Sequence, residues 1–113
     1  MTELESDIMW RPRKRETELN NLTKFTRHLE NTSGVKLSNY SELHKFSCKS
    51  RDVFWRELIN YFDVQYQGEL GPVEVPDKFL NYSWFPNVRC NFAENLLSKN
   101  DDSKAITFIN ENG

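Results

Sequence analysis

No stretch of the 113 residues approaches the roughly 18 apolar residues of a membrane span. Residues 1–7 carry three acidic side chains, Glu3, Glu5 and Asp7, where a secretory signal needs positive charge followed by an apolar run. These absences point to a cytoplasmic chain with no membrane partner. Cysteine is scarce. Cys48 and Cys90 stand alone, without the close pairing of a zinc or redox motif and without the density of a disulfide-built secreted domain, so reduced thiols are expected. Glycine is thinly spread as Gly34, Gly68, Gly71 and Gly113. A phosphate cradle draws on neighbouring glycines so that backbone N–H groups can approach the anion, and no such loop is encoded. A large charge of either sign is also missing. The net charge of −2 gives no global attraction to nucleic acid or to an anionic surface.

What is present is a folding composition, with 37% hydrophobic and 28% charged residues and aromatics at 13%. The length suits one domain or part of one. One local exception to the charge balance, Arg11, Arg13, Lys14 and Arg15, is interrupted by Pro12 and answered by Glu16 and Glu18. It reads as a solvated surface patch with no assigned partner.

From Thr17, apolar residues Leu19, Leu22, Phe25 and Leu29 recur at helical steps, which predicts an amphipathic helix ending near Ser33 and Gly34. Ser38 and Asn39 can cap a short second helix through Leu43 and Phe46, and Ser50 a third running to about Phe62. On that third helix Phe54, Leu58, Tyr61 and Phe62 share a face widened by Trp55 and Ile59, which makes it the expected most deeply packed element. Between Gln65 and Tyr82 the periodicity dissolves among Gly68, Gly71, Pro72 and Pro76, so a loop is predicted. Asn91 with Glu94 three positions on opens a fourth, short helix to Leu97. Finally Ala105 to Ile109 is a continuous apolar run with β-branched Ile106, Thr107 and Ile109, the pattern of a buried strand, and Asn112-Gly113 is a hairpin turn with no second strand after it. A lone strand cannot satisfy its own backbone, so the chain is expected to continue beyond Gly113 into a sheet.

Chemistry is harder to find. His28 and His44 each lie in a predicted helix without a second ligand or acid at a motif spacing, and surface or boundary roles suffice for them. Asp101 and Asp102 sit in a turn, and Glu94 has a capping role, so no two carboxylates pair as acid and base. Rings that stack on single-stranded nucleic acid are interleaved with basic residues, whereas these follow helix-core spacing. Trp10 and Trp84-Phe85-Pro86 lie outside the helices and are expected to be buried anchors. No residue is assigned a catalytic, cofactor-binding or metal-ligating role.

Trp10-Arg11-Pro12, Glu42-Leu43-His44-Lys45-Phe46-Ser47, Val53-Phe54-Trp55 and above all the run from Trp84 to Leu97, with its Asn91-x-x-x-Asn95 element, resemble the amino-terminal region of acetoacetyl-CoA synthetases. The match spans roughly Met9 to Gly113. Departures are mild: Phe46 stands where that family tends to have Trp, Asn87 where it often has Gly, and Cys90 and Phe92 where Leu and Tyr are common. The resemblance implies an AMP-forming acid–thiol ligase that joins acetoacetate to coenzyme A with ATP and Mg2+. That family's phosphate loop, adenine- and magnesium-binding segment and catalytic Lys all fall outside this chain, so no functional residue is carried over.

The resulting expectation is a mainly α fold of about four helices with a C-terminal β-strand or half hairpin, the amino-terminal part of an α/β adenylate-forming ligase. Residues 1–9 form a flexible N-terminus, 10–97 a helical domain of the acetyl-CoA-synthetase type, and 98–113 a turn and first strand of a truncated catalytic domain. The fragment itself binds no cofactor. Its partner is the remainder of the synthetase, with self-association through the C-terminal strand when that remainder is missing. The alternative is a free-standing helical interaction module without enzymatic activity.

Overall fold

A computed structural model describes residues 8–77 and 80–112. Five helices and one small sheet follow in the order α1 (Lys14–Leu19), α2 (Asn21–Ser33), α3 (Tyr40–Lys49), α4 (Arg51–Tyr61), β1 (Glu74–Pro76), β2 (Tyr82–Trp84) and α5 (Phe92–Leu96). The fold is mainly α, as expected. The chain divides into two compact units after Tyr61, inside the 10–97 segment expected to form one domain.

In the first unit, the helix expected from Thr17 to Gly34 is two helices. Asn20 takes an extended conformation and its side chain accepts from the Thr23 backbone N–H at 2.8 Å, which ends α1 and caps α2. The far end of α2 closes on Gly34, whose left-handed φ of 68° lets its N–H reach the Glu30 carbonyl at 3.0 Å. Asn39 caps α3 in the same way as Asn20, accepting from Glu42 N–H at 3.0 Å.

The core of this unit is Phe25 and Leu29 of α2 with Leu37 and Leu43, and Phe46, Phe54 and Leu58 pack partly against it. Phe25 meets the Phe54 ring edge-on at 5.7 Å and the Tyr61 ring at 5.5 Å. The helix expected to be the most deeply packed, α4, has no fully buried residue. Its apolar stripe is wide: Phe54, Leu58 and the Tyr61 ring meet the core of the first unit, while Val53 and Trp55 stay exposed and Tyr61 is covered on one side alone. Periodicity identified the face and could not show how much of it is covered.

The second unit corrects two expectations. Within the predicted loop, β1 pairs antiparallel with β2, Val75 opposite Ser83, and Gln67 exchanges backbone hydrogen bonds with Arg89 at 2.8 and 3.0 Å. Three-residue strands ending in Pro76 are too short to show alternation, so only the pairing reveals them. Conversely, the strand predicted for Ala105 to Ile109 is not formed. Residues 104–110 have no regular structure and their apolar side chains are exposed, because no neighbouring strand offers backbone partners. The predicted Asn112-Gly113 turn is only half visible: Asn112 N–H donates to Asn110 Oδ1 at 3.0 Å, and Gly113 lies outside the described residues, as do residues 1–7 of the expected flexible terminus.

Val73 is the single buried hydrophobic residue of this unit among the described residues. Leu29→Ala should therefore cost the first unit about 2–5 kcal/mol, since it empties the centre of a small core. Urea unfolding followed by far-UV circular dichroism measures this, and a loss well under 1 kcal/mol would mean that the core collapses around the gap.

Candidate functional site

The densest side-chain network lies around the Asn91-x-x-x-Asn95 element. Asn91 caps α5, its Oδ1 accepting from Glu94 N–H at 3.0 Å, and so sets the helix start where the sequence placed it. One turn later Asn95 points back across the unit. Its Oδ1 accepts the Gln65 backbone N–H at 2.7 Å, and its Nδ2 donates to the Gln65 carbonyl at 2.9 Å, to the Asn91 carbonyl at 3.0 Å and towards Cys90 Sγ at 3.3 Å. The Cys90 thiol in turn donates to the Gln65 carbonyl at 3.3 Å. An amide is the right group here because it offers both an acceptor and two donors, matching the N–H and C=O of one peptide strand. This is a clamp on the chain, with the Asn95 amide engaged at both its oxygen and its nitrogen.

Two of the scattered glycines stand against Asn87. Gly68 and Gly71 have left-handed φ of 94° and 55°, but the space where a Cβ would stand is closed at Gly68 by the Asn87 carbonyl and at Gly71 by the Asn87 side chain at 2.6 Å. These glycines admit close approach of Asn87, where a side chain would collide with it.

The two histidines are brought to different places. His28 is half-buried between α2 and α4, its Nε2 2.8 Å from Glu57 Oε2 and its ring 4.8 Å from that of Tyr61. Sequence spacing could not find this pair because its members are 29 residues apart. The contact joins α2 to α4. His44 lies exposed on α3, stacked on Tyr40, with Cys48 Sγ 3.7 Å from its Nε2. No group of three or more His, Cys, Asp or Glu that could hold a metal ion occurs among the described residues.

The expected anchors are not buried within this chain: Trp10 is 75% exposed and Trp84 49%. Bulk in a non-helical position signalled a need for cover, and the described residues do not supply it. Of the basic cluster, Lys14 Nζ lies 3.9 Å from Glu18, while Glu16 accepts from the Arg13 backbone N–H at 2.9 Å at the start of α1. In the first unit a groove of about 440 Å3, lined by Leu22, Thr26, Arg27, Leu37, Tyr40 and Leu43 among others, is shallow and open. Asp101 is fully exposed, and its carboxyl is held below the ordinary 3.8 by hydrogen bonds from the Ser103 hydroxyl and backbone N–H. It belongs to a turn.

No protein-family model matches the chain. It is 29% identical over 119 residues to the acetoacetyl-CoA synthetase of Gallus gallus, an alignment covering 97% of this chain and 16% of that one. The acetoacetyl-coenzyme A synthetase of Rhizobium meliloti (strain 1021) is 30% identical over 105 residues, covering 91% of this chain and 16% of the relative. Among solved structures, acetoacetyl-CoA synthetase from Streptomyces lividans superposes with a TM-score of 0.68 at 26% identity, over 78% of this chain and 14% of that chain. The resemblance read from the motifs thus extends over nearly the whole chain, which spans about a sixth of the length of these relatives.

Two outcomes follow from this geometry. Asn95→Ala should loosen the second unit by about 1–3 kcal/mol, because it strands the Gln65 backbone groups, and Asn95→Asp should recover only part, since a carboxylate accepts but does not donate. Amide exchange at Gln65 and Asn95 reads the effect, and unchanged protection would show the clamp to be idle. Ser103→Ala should return the Asp101 pKa towards 3.8. A depressed carboxylate stabilises its turn above its unfolded value and ceases to do so as pH falls through the folded one, so the wild-type turn should loosen only at pH below 3.8. Carboxyl NMR titration of both forms decides it.

Proposed function

We propose that this chain forms the amino-terminal part of an AMP-forming acetoacetate–CoA ligase acting in the cytoplasm, converting ATP, acetoacetate and coenzyme A into acetoacetyl-CoA, AMP and pyrophosphate. The observation that carries the reading is the similarity to acetoacetyl-CoA synthetases over 97% of the chain, together with a common fold over 78% of it. In this reading nucleotide, Mg2+ and coenzyme A are bound by other parts of the synthetase; Asn87 lies against Gly68 and Gly71, and no group of three or more His, Cys, Asp or Glu that could hold a metal ion occurs among the described residues. The part played by this chain is therefore architectural, and phosphate and thiol chemistry falls to the remainder of the synthetase, its partner in this reading. Without that remainder, residues 105–109 are open to pairing with a second copy.

In such a ligase the acetoacetate carboxylate attacks the α-phosphate of ATP, pyrophosphate leaves, and the coenzyme A thiol then displaces AMP from the acyl-adenylate. Holding the reactants in line and stabilising phosphate charge is the protein's task, and it demands donors that converge on one point. Here the Asn95 amide donates to the chain's own backbone.

The purified 113-residue chain should accordingly show no acetoacetate-dependent exchange of pyrophosphate into ATP. Exchange above the blank would overturn the architectural assignment. Reading the DNA beyond the Gly113 codon tests the ligase itself: an in-frame continuation with a Ser/Thr/Gly-rich phosphate loop is expected, and an immediate stop codon would favour a free-standing interaction module.

A further inference from the structure

Taken singly, His44 is a surface histidine and Cys48 a solitary thiol, but α3 joins them. Four residues apart, they stand in one row on the same face of the helix. His44 Nε2 lies 3.7 Å from Cys48 Sγ, and both residues are exposed. A tetrahedral Zn2+ holds a thiolate sulfur at about 2.3 Å and an imidazole nitrogen at about 2.0–2.1 Å, which sets the two donors about 3.6 Å apart. The pair already has the bite of a single ion.

The frame beneath it is fixed. Asn39 caps α3 at one end, the Ser50 N–H closes the other on the Phe46 carbonyl at 2.8 Å, and Leu43, beside His44, is buried in the core of the first unit. The Tyr40 ring lies nearly parallel to the imidazole, 12° apart with centroids at 6.4 Å, and restrains its plane. An ion therefore meets donors carried on a rigid element, with little left to order on binding. Cys48 also lies in the last turn of α3, where the outward carbonyls favour positive charge. A thiolate cancels one of the two charges of the ion, which limits repulsion from Lys49 and from Arg51, whose Nη1 donates to the Cys48 carbonyl at 3.4 Å.

We infer that His44 and Cys48 chelate a borderline divalent transition metal, Zn2+ in the first place, on the outer face of α3. Nε2 and Sγ are its ligands, the thiol proton passes to solvent, and water fills the remaining positions. Imidazole with thiolate selects Zn2+ over Mg2+ and Ca2+, which take oxygen ligands. Among the described residues no group of three such side chains forms, so the ion is exchangeable, unlike one locked in a four-ligand structural site. This site stands independently of the ligase reading.

The reduced 113-residue chain titrated with Co2+, followed by the thiolate-to-cobalt charge-transfer absorption, tests it. One Co2+ per chain is expected, with a band that Zn2+ bleaches and Mg2+ does not. Cys48→Ser should abolish the band and Cys90→Ser should keep it. His44→Ala should weaken binding by about a hundredfold, the advantage of two joined donors over one. Cys48→Ser combined with Lys49→Cys keeps both kinds of donor but turns the thiol about 100° round the helix, and should bind as weakly as His44→Ala. All these side chains are exposed, and far-UV circular dichroism checks that the helices remain. A wild-type chain without the band overturns the inference. So does wild-type affinity in His44→Ala or in the shifted-thiol variant, which would show a thiol acting alone, or a band that survives Cys48→Ser. One ion shared by two chains, with the same response to each variant, keeps the pair as ligands and upholds the site.

Discussion

Every buried or helix-terminal backbone group needs a hydrogen-bond partner, and in this chain asparagine supplies an unusual share of them. Asn20, Asn39 and Asn91 each cap a helix by accepting the N–H three residues on, at 2.8 to 3.0 Å. Asn95 serves both backbone groups of Gln65, and Asn87 closes over Gly68 and Gly71. Each cap contributes about 1 kcal/mol, and together they decide where helices begin and which strands of chain lie side by side.

That device matters because apolar packing is so limited. Phe25, Leu29, Leu37 and Leu43 make one small core, joined partly by Phe46, Phe54 and Leu58. The first unit therefore has a recognisable interior. The second has a scaffold of hydrogen bonds and one buried hydrophobic residue among those described, Val73; Leu70 and Phe85 are half-buried, while Phe92, Leu96 and Phe108 are exposed. Hydrogen bonds set direction and register, whereas apolar burial provides most of the driving force for folding. A unit rich in the first and poor in the second is organised for assembly with something larger.

The same contrast bears on function. The element that carries the family resemblance most clearly, Trp84 to Leu97, turns out to be the clamp, the turn that Asn87 packs through and the short helix of the second unit. Its asparagines are occupied by backbone, so the motif reads as a structural joint. The stretch that carries the resemblance most clearly is thus one whose asparagines Asn91 and Asn95 bind the chain's own backbone.

Locally written features were legible from the sequence. Asn39 and Asn91 announced their helices, and the apolar spacing of Phe25 and Leu29 marked the inward face of α2. Each depends on residues within a turn or two of one another, where spacing alone determines geometry. Tertiary structure decided the rest. Asn20 could have sat mid-helix, and only the turn of the chain there made it a cap. The Glu74–Pro76 and Tyr82–Trp84 pairing, the His28–Glu57 contact and the reach of Asn95 to Gln65 join residues that no local period connects. Ala105 to Ile109 shows the same division most plainly: its sequence has the apolar and β-branched character of a strand, but a strand exists only when another backbone lies beside it.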